Sequence, residues 1–450
     1  MASAAEQLAA NINLGAFSKA TELKNRIWFT LAALLVYRLG TYIPLPGIDP
    51  QILSEIFQRN AGGILGMFDM LAGGALSRMT IFALNIMPYI SSSIIIQLMT
   101  AVMPKLEALR KEGEAGRKVL NQYTRMLTVA LATLQAYGIS VGLMGAAGAH
   151  GPAVLDPGLF FIASTVITLV GGTMFVMWLG EQITARGIGN GISLIIFSGI
   201  VANLPRAVGN TLDLVRTGAL SGVFVVLLAV IVAGVIGFIV FMERAQRRIL
   251  IQYPKRQVGN RMFGGENSHL PLKLNTSGVI PPIFASSLLL LPATIAGFSG
   301  TAAATRPGWL TWLTTNFAHG QPLYLAFYVG MILFFSFFYT AIVFNPAETA
   351  ENLKKYGGFV PGIRPGKNTA DYLDYVLTRL TVIGAAYLAA ICVLPEILIA
   401  QYNVPFYFGG TSLLIVVTVT MDTVAQIHSH LLAHQYEGLI KKSKLRGRRG

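Results

Sequence analysis

The sequence predicts an all-α, polytopic membrane protein with ten transmembrane helices, and three observations predict it. Of 450 residues, 54% are hydrophobic and only 12% charged, against about 25% charged in soluble domains. The apolar residues form long continuous runs near the roughly 20 residues that a spanning helix needs, not the short alternating segments of a transmembrane barrel. The basic residues are unevenly shared between the loops on the two sides, which sets the orientation of a polytopic protein.

The ten runs lie near 27–45, 79–101, 124–146, 158–180, 191–206, 219–242, 276–295, 322–344, 380–399 and 405–426. The fifth and seventh are the weakest, being short or rich in polar residues and proline. Counting Arg125, at the edge of the third run, with the loop before it, all but six of the 34 Lys and Arg fall in the N-tail, the C-tail and the loops after the even-numbered runs. The six are Arg38, Arg59, Arg78, Arg206, Arg216 and Arg306. This places both termini in the cytoplasm and supports an even number of spans. The N-tail, 1–26, has no signal-peptide pattern; Leu8, Ile12 and Phe17 suit a surface helix or disorder equally.

The second run is preceded by an interruption. Met67, Phe68, Asp69, Met70 and Leu71 make at most half a span, and Gly73, Gly74, Ser77 and Arg78 break it before apolar sequence resumes at Met79. The second run also contains Pro88, and the seventh opens with Pro281 and Pro282. Interrupted segments at matching positions in two halves point to a central pathway in repeat-built carriers. The chain shows no clear residue-level repeat to strengthen that symmetry.

A charge at the bilayer centre costs roughly 2.5–3.5 kcal/mol on insertion scales. The spans are nearly free of charge and keep none there: Arg38 can snorkel from the outer end of the first, and Asp69 belongs to the half span. This argues against the alternative class, an ion-coupled secondary transporter, which usually needs an intramembrane carboxylate or histidine. Catalytic signatures are also missing. "GIRPGKNT" leaves three residues, not four, between Gly362 and Gly366, and Asn368 follows Lys367, so it fails as a phosphate-binding loop. "RGIGNGIS" follows no predicted strand. His428, His430 and His434 have no Cys or carboxylate beside them to complete a metal site. The lone Cys392 has no disulfide partner. No enzyme, cofactor or metal is expected, so the energy for any work must come from a gradient or a partner.

Three cytoplasmic loops are long and basic. The second carries Arg247, Arg248, Lys255, Arg256 and Arg261; in the third, Pro361, Gly362, Pro365 and Gly366 suit a rigid tip that would push Ile363 and Arg364 outward. Such loops set topology and touch anionic lipid head groups, but their length and partly apolar tips favour docking of a large partner. Ribosomal RNA or an acidic protein surface would suit them equally. Isoleucines recur at helical spacing, with Ile86 and Ile90, and Ile192 and Ile196, four apart, and Ile283 and Ile415 in later runs. From spacing alone they read as ordinary lipid-facing or packing residues.

Longer stretches carry a resemblance. "YIPLPGI" (42–48), "GGALSRMTIFALNIMPYISSSIIIQL" (73–98), "KEGEAGR" (111–117), "MWLGEQITARGIGNGIS" (177–193), "HLPLKLNTSGVIPPIFASS" (269–287), "FNPAETAENLKKYGGFVPGIRPG" (344–366) and "VPFYFGGTSLLIVV" (404–417) follow one another over nearly the whole chain. In these the chain closely resembles the SecY family, the central subunits of bacterial protein-translocation channels. The resemblance implies two five-helix halves, 27–206 and 207–428, around an hourglass pore. It implies a basic C-tail, 429–450, and cytoplasmic loops near 243–275 and 345–378. Ile86, Ile90, Ile192, Ile196, Ile283 and Ile415 would form the pore ring. A plug near 63–75, in a polar, partly wet funnel that accounts for Asp69, would answer for the half span. Spans 2 and 7 would flank a lateral gate weakened by Pro88, Pro281 and Pro282, with polar contacts from Ser91, Gln97, Ser286 and Ser287. The implied partners are SecE and SecG, the motor SecA, the ribosome, anionic lipids, and a secretory precursor with its signal sequence. The implied site of action is the bacterial cytoplasmic (inner) membrane. Lys255, Arg256, Arg261, Ile363 and Arg364 would serve partner docking. Asn260 stands where relatives often carry an arginine.

Overall fold

The computed structural model describes residues 21–59, 69, 72–145, 147–148, 151–218, 221–253, 256–258, 261–263, 267–298, 316, 321–402 and 410–446, with backbone alone at 57–59, 147–148, 214, 256–258, 261–263, 290–298, 398–402, 410 and 434–446. The chain forms two compact units. One comprises Met1–Arg206, Thr294–Arg306 and Val419–Gly450; the other comprises Ala207–Ala293 and Pro307–Thr418.

The first unit is built from helices α1 (Thr21–Gly40), α2 (Pro50–Arg59), α3 (Met87–Val102), α4 (Pro104–Lys111), α5 (Glu114–Met144), a two-residue hairpin β1–β2 (Ala147–Gly148, Gly151–Pro152), α6 (Leu159–Arg186) and the start of α7 (Gly191–Arg216). Thr124, Thr128, Ala132, Ala136 and Ser140 are buried along α5. Their spacing of four places them on one face, and small residues let helix backbones approach closely. This face belongs to the helix that packs on both α3 and α6. The core beside it gathers Leu45, Leu53, Leu76, Met79, Leu84, Phe161 and Leu169.

The second unit holds α8 (Gly222–Arg244), strands β3 (Gln246–Gln252), β4 (Arg256–Val258), β5 (Arg261–Phe263) and β6 (Asn267–Lys273), then most of α9 (Ile280–Phe298), α10 (Pro322–Val343), α11 (Pro346–Lys355), α12 (Lys367–Tyr402) and the start of α13 (Gly410–Arg446). β3 and β6 pair antiparallel from Gln246↔Lys273 to Gln252↔Asn267. Alternation puts Ile249 and Ile251 on one face, and Ile249 packs with Leu272, Ala350, Val360, Leu373, Val376 and Leu380. A basic loop thus becomes a ribbon seated on α11 and the first turns of α12.

Each predicted run contains a helix. Among the described residues, seven helices are long and apolar enough to span a membrane, or eight with α3 and α4 taken as one span bent by 100°; α1 and the shorter apolar α9 account for the other two runs. Two boundaries differ from expectation. α1 ends at Gly40, and the second run begins as turns, with helix only from Met87. The reason is pairing of backbone: Leu45 N–H donates to Met79 O and Ile81 N–H to Ile43 O, both at 3.0 Å, which takes 79–81 out of helical geometry.

Candidate functional site

The chemistry of the interruption is mostly backbone capture. Gly73 and Gly74 have φ of +67° and +80°, conformations that favour glycine. A Cβ on Gly73 would lie 2.9 Å from Arg38 Nη1 and 2.9 Å from Gly199 Cα, so the loop lies directly on α7. Arg38 Nη1 donates to Gly73 O at 2.9 Å, and Arg78 donates to Gly73 O and Gly74 O at 3.0 and 2.8 Å. Both guanidinium carbons stand near the Tyr42 ring, at 5.1 and 4.2 Å from its centroid. Arg38 is therefore a tie from α1 to the glycine turn rather than a free snorkelling end. Asp69 is half-buried, and its Oδ1 accepts from Ser77 N–H at 2.7 Å. Asp69 thus has a specific partner in the turn, the Ser77 N–H. Met67, Phe68, Met70 and Leu71 lie outside the described residues.

Beyond the turn, Met79 and Asn85 adopt positive φ of 42° and 49°, which is strained for side-chain-bearing residues. Asn85 is 1% exposed, and its Oδ1 accepts from Tyr37 Oη–H at 3.4 Å. Ile86 then caps α3, and Pro88 follows in its first turn. Pro281 and Pro282 are likewise the second and third residues of α9. The expectation that these prolines weaken their helices is thus corrected. In a first turn proline removes no intrahelical bond, because those N–H groups have no partner anyway. Prolines in helix interiors are Pro205 in α7, Pro292 in α9 and Pro395 in α12 among the described residues.

The isoleucines divide between the units. Ile86 just before α3, Ile90 on α3 and Ile196 on α7 are buried, while Ile192 on α7 is half-buried; all four belong to the first unit. A Cβ on Gly180 would lie 3.4 Å from Ile192 Cγ1 and 3.4 Å from Ile195 Cδ1, so α7 begins close against α6. In the second unit Ile415 is buried on α13 and Ile283 half-buried on α9. Ser91 is buried on α3. Gln97 Nε2 donates to Ser93 Oγ at 3.0 Å, Ser286 Oγ–H to Pro282 O at 3.0 Å, and Ser287 Oγ–H to Ile283 O at 2.8 Å. The donors of Ser286, Ser287 and Gln97 go to their own helices.

On the second unit, Gly362 and Gly366 turn the third loop with φ of +82° and +108°. Arg364 is exposed as expected. Ile363 is not pushed outward: it packs against the core of β3, β6 and α12, because an apolar side chain at the turn gains more from that core than from water. Arg247 and Arg248 are exposed on β3. Arg256 and Arg261 lie on the paired strands β4 and β5, and Lys255 lies outside the described residues.

Sequence reasoning missed Glu396, a carboxylate 4% exposed on α12 beside Pro395; a search for charge at the centre of the run passed over its end. Asn85, Thr30 and Gln426 carried no signal beyond being polar residues in or next to apolar sequence.

The comparisons fit this architecture. The SecY family model matches residues 80–424. The protein translocase subunit SecY of Rickettsia felis is 56% identical over 432 residues, covering 96% of this chain and 99% of the relative. That of Escherichia coli K12 is 54% identical over 426 residues, covering 95% and 96%. Among solved structures, a protein-conducting channel superimposes with a TM-score of 0.64 at 16% identity over 92% of this chain and 93% of that one. Sec61 from the canine ribosome–channel complex of the endoplasmic reticulum gives 0.60 at 15% identity over the same shares; at such identities both show a common fold. By sequence along nearly its full length, and by fold, the chain belongs to the SecY family of protein translocase subunits.

Proposed function

We infer that the protein is the channel through which unfolded polypeptides cross a membrane, with apolar segments released sideways into lipid. The observation that carries this is the family match over 95–96% of the chain. It leaves the ion-coupled transporter without support. In this reading Ile86, Ile90, Ile192, Ile196, Ile283 and Ile415 form an apolar constriction. Such a ring disfavours ions at rest, as hydrophobic gates do, and offers a passing chain no hydrogen bonds to hold it. The glycine turn at Gly73–Gly74 hinges a plug that includes Asp69, and α3 and α9 flank the exit to lipid near Ser91, Gln97, Ser286 and Ser287.

The family is one of channel-forming subunits, so catalysis is left to a partner. The solved Sec61 relative is complexed with a ribosome, which supports ribosome docking on the exposed arginines of β3 and the Arg364 tip. The motor SecA, the small subunits SecE and SecG, and anionic lipids complete the proposed assembly in a bacterial cytoplasmic membrane, with both termini in the cytoplasm.

The test uses Cys392→Ser to clear the one native thiol, which is buried, together with Ile196→Cys. A stalled secretory precursor bearing one Cys should form a disulfide with the residue at 196, dependent on precursor and partner, and not with a lipid-facing position on α8. Crosslinking at the control alone, or at neither position, overturns the pore assignment.

A further inference from the structure

The turn between α6 and α7, Gly187–Asn190, is held by side chains from two helices remote in sequence. Ile188 N–H donates to Thr30 Oγ1 on α1 at 3.0 Å, and Gly189 N–H donates to Gln426 Oε1 on α13 at 2.8 Å. Thr30 is itself fixed, donating to Arg26 O at 2.9 Å. Ile188 is 3% exposed and packs with Leu23, Ile27, Ile427 and Leu431, so the same three segments also close around it apolarly. All of these residues belong to the first unit.

The turn has little slack. Gly189 has φ of +87°, and a Cβ there would lie 2.8 Å from Leu194 Cδ1 and 3.3 Å from Thr423 Oγ1. Asn190 Oδ1 then accepts from Ile192 N–H and Ser193 N–H at 3.1 and 3.4 Å, starting α7 in the manner of an N-cap. Gly191 N–H donates to Thr184 Oγ1 at 2.9 Å, binding the new helix back to α6. Ile192 and Ile196 are the second and sixth residues of that helix. Any shift of the turn is carried to both, because a helix moves as a rigid element over so short a length.

We propose that Thr30 and Gln426 are positioning residues for the constriction: by accepting the Ile188 and Gly189 N–H groups they set where α7 presents Ile192 and Ile196. The proposal rests on the reading of those isoleucines as pore-lining. Gln426 lies on the helix that continues into the basic C-tail, so a partner bound at the tail has a direct mechanical route to the ring.

The experiment compares isosteric pairs. Gln426→Leu and Thr30→Val remove the acceptor at similar volume, whereas Gln426→Glu and Thr30→Ser keep it. Each purified channel complex is reconstituted in vesicles, and resting efflux of a small anion is measured without precursor, per folded copy. The losing variants should leak roughly fivefold more than the unaltered protein, the population change that one ordinary hydrogen bond permits, and the keeping variants should match it. If one losing variant does not accumulate, the other pair decides. Ile196→Ser is the control for the underlying reading. Leak from Ile196→Ser with tight losing variants overturns the clamp while the ring stands. Equal leak from keeping and losing variants also overturns it, since acceptance would then not matter. A tight Ile196→Ser overturns the ring and the proposal with it.

Discussion

Gly40, the last residue of α1, lies against the edge of the Phe82 ring so closely that a Cβ on Gly40 would collide with it. Phe82 is stacked between Tyr37 and Phe175, at centroid distances of 5.9 and 5.8 Å. It cannot swing away without undoing both stacks. Gly40→Ala should therefore lower thermal stability by about 1–3 kcal/mol, the range for overpacking, and Phe82→Leu in the same chain should recover much of it. Gly172→Ala is the contrast. Its Cβ would meet the Ile81 carbonyl oxygen, backbone that no side-chain change can move, so no substitution at Phe82 should rescue it. Thermal unfolding of the purified variants reads both.

The bond from Ser77 N–H to Asp69 Oδ1 gives a second prediction. An amide oxygen can accept where the carboxylate does, whereas a methyl group cannot. Asp69→Asn should stay near the unaltered protein in thermal unfolding. Asp69→Ala should lose about 1 kcal/mol, as typical capping residues do. Equal loss in both would show that the negative charge, and not the acceptor, matters at 69.

Much of this was legible because lipid imposes a simple rule: backbone must be satisfied within each span, so apolar length predicts helices. What stayed hidden involves backbone paired outside helices. Nothing in "RMTIFALNIMP" announces that 79–81 pair with 43–45, or that Met79 and Asn85 take positive φ, since those conformations are enforced by tertiary contact against local preference. The proline reading went astray for a related reason: Pro88 breaks a helix only if the helix has already begun, and the strand-like pairing delays its start to Met87. Ile363 misled because a turn rich in proline and glycine predicts the bend but not which side chain faces the core. The acceptors Thr30 and Gln426 look like any polar residue toward the end of an apolar run until α1 and α13 meet the same turn.

Arg125 on α5 reaches Glu181 on α6 through two bonds, at 3.1 and 2.7 Å. Both side chains are partly exposed, at 47% and 29%, so water screens the pair. Glu181→Gln should cost no more than about 1 kcal/mol, and exchanging the two residues should restore most of it. A much larger loss in the thermal midpoint would mean that the pair is effectively dry in the bilayer interface.

The basic loops should not contribute equally to docking. Lys111 is bound to Glu107 at 2.7 Å and Lys355 to Glu351 at 3.3 Å, each within its own helix. The Lys111 hydrogen bond also holds the Glu107 carboxyl below the usual carboxylate range, so the pairing persists to more acidic pH than an ordinary glutamate would allow. Arg364, by contrast, is exposed and makes no ion pair among the described residues. A partner's phosphate therefore meets a full charge at the Arg364 tip and a compensated one at 111 and 355. Arg364→Ala should weaken ribosome binding to reconstituted vesicles far more than Lys355→Ala. If the contact is to RNA phosphate, it should also reduce the slope of log affinity against log salt by about 0.7–0.9. A loss of affinity with unchanged slope would place Arg364 against protein rather than RNA, and no loss would remove the tip from the docking surface.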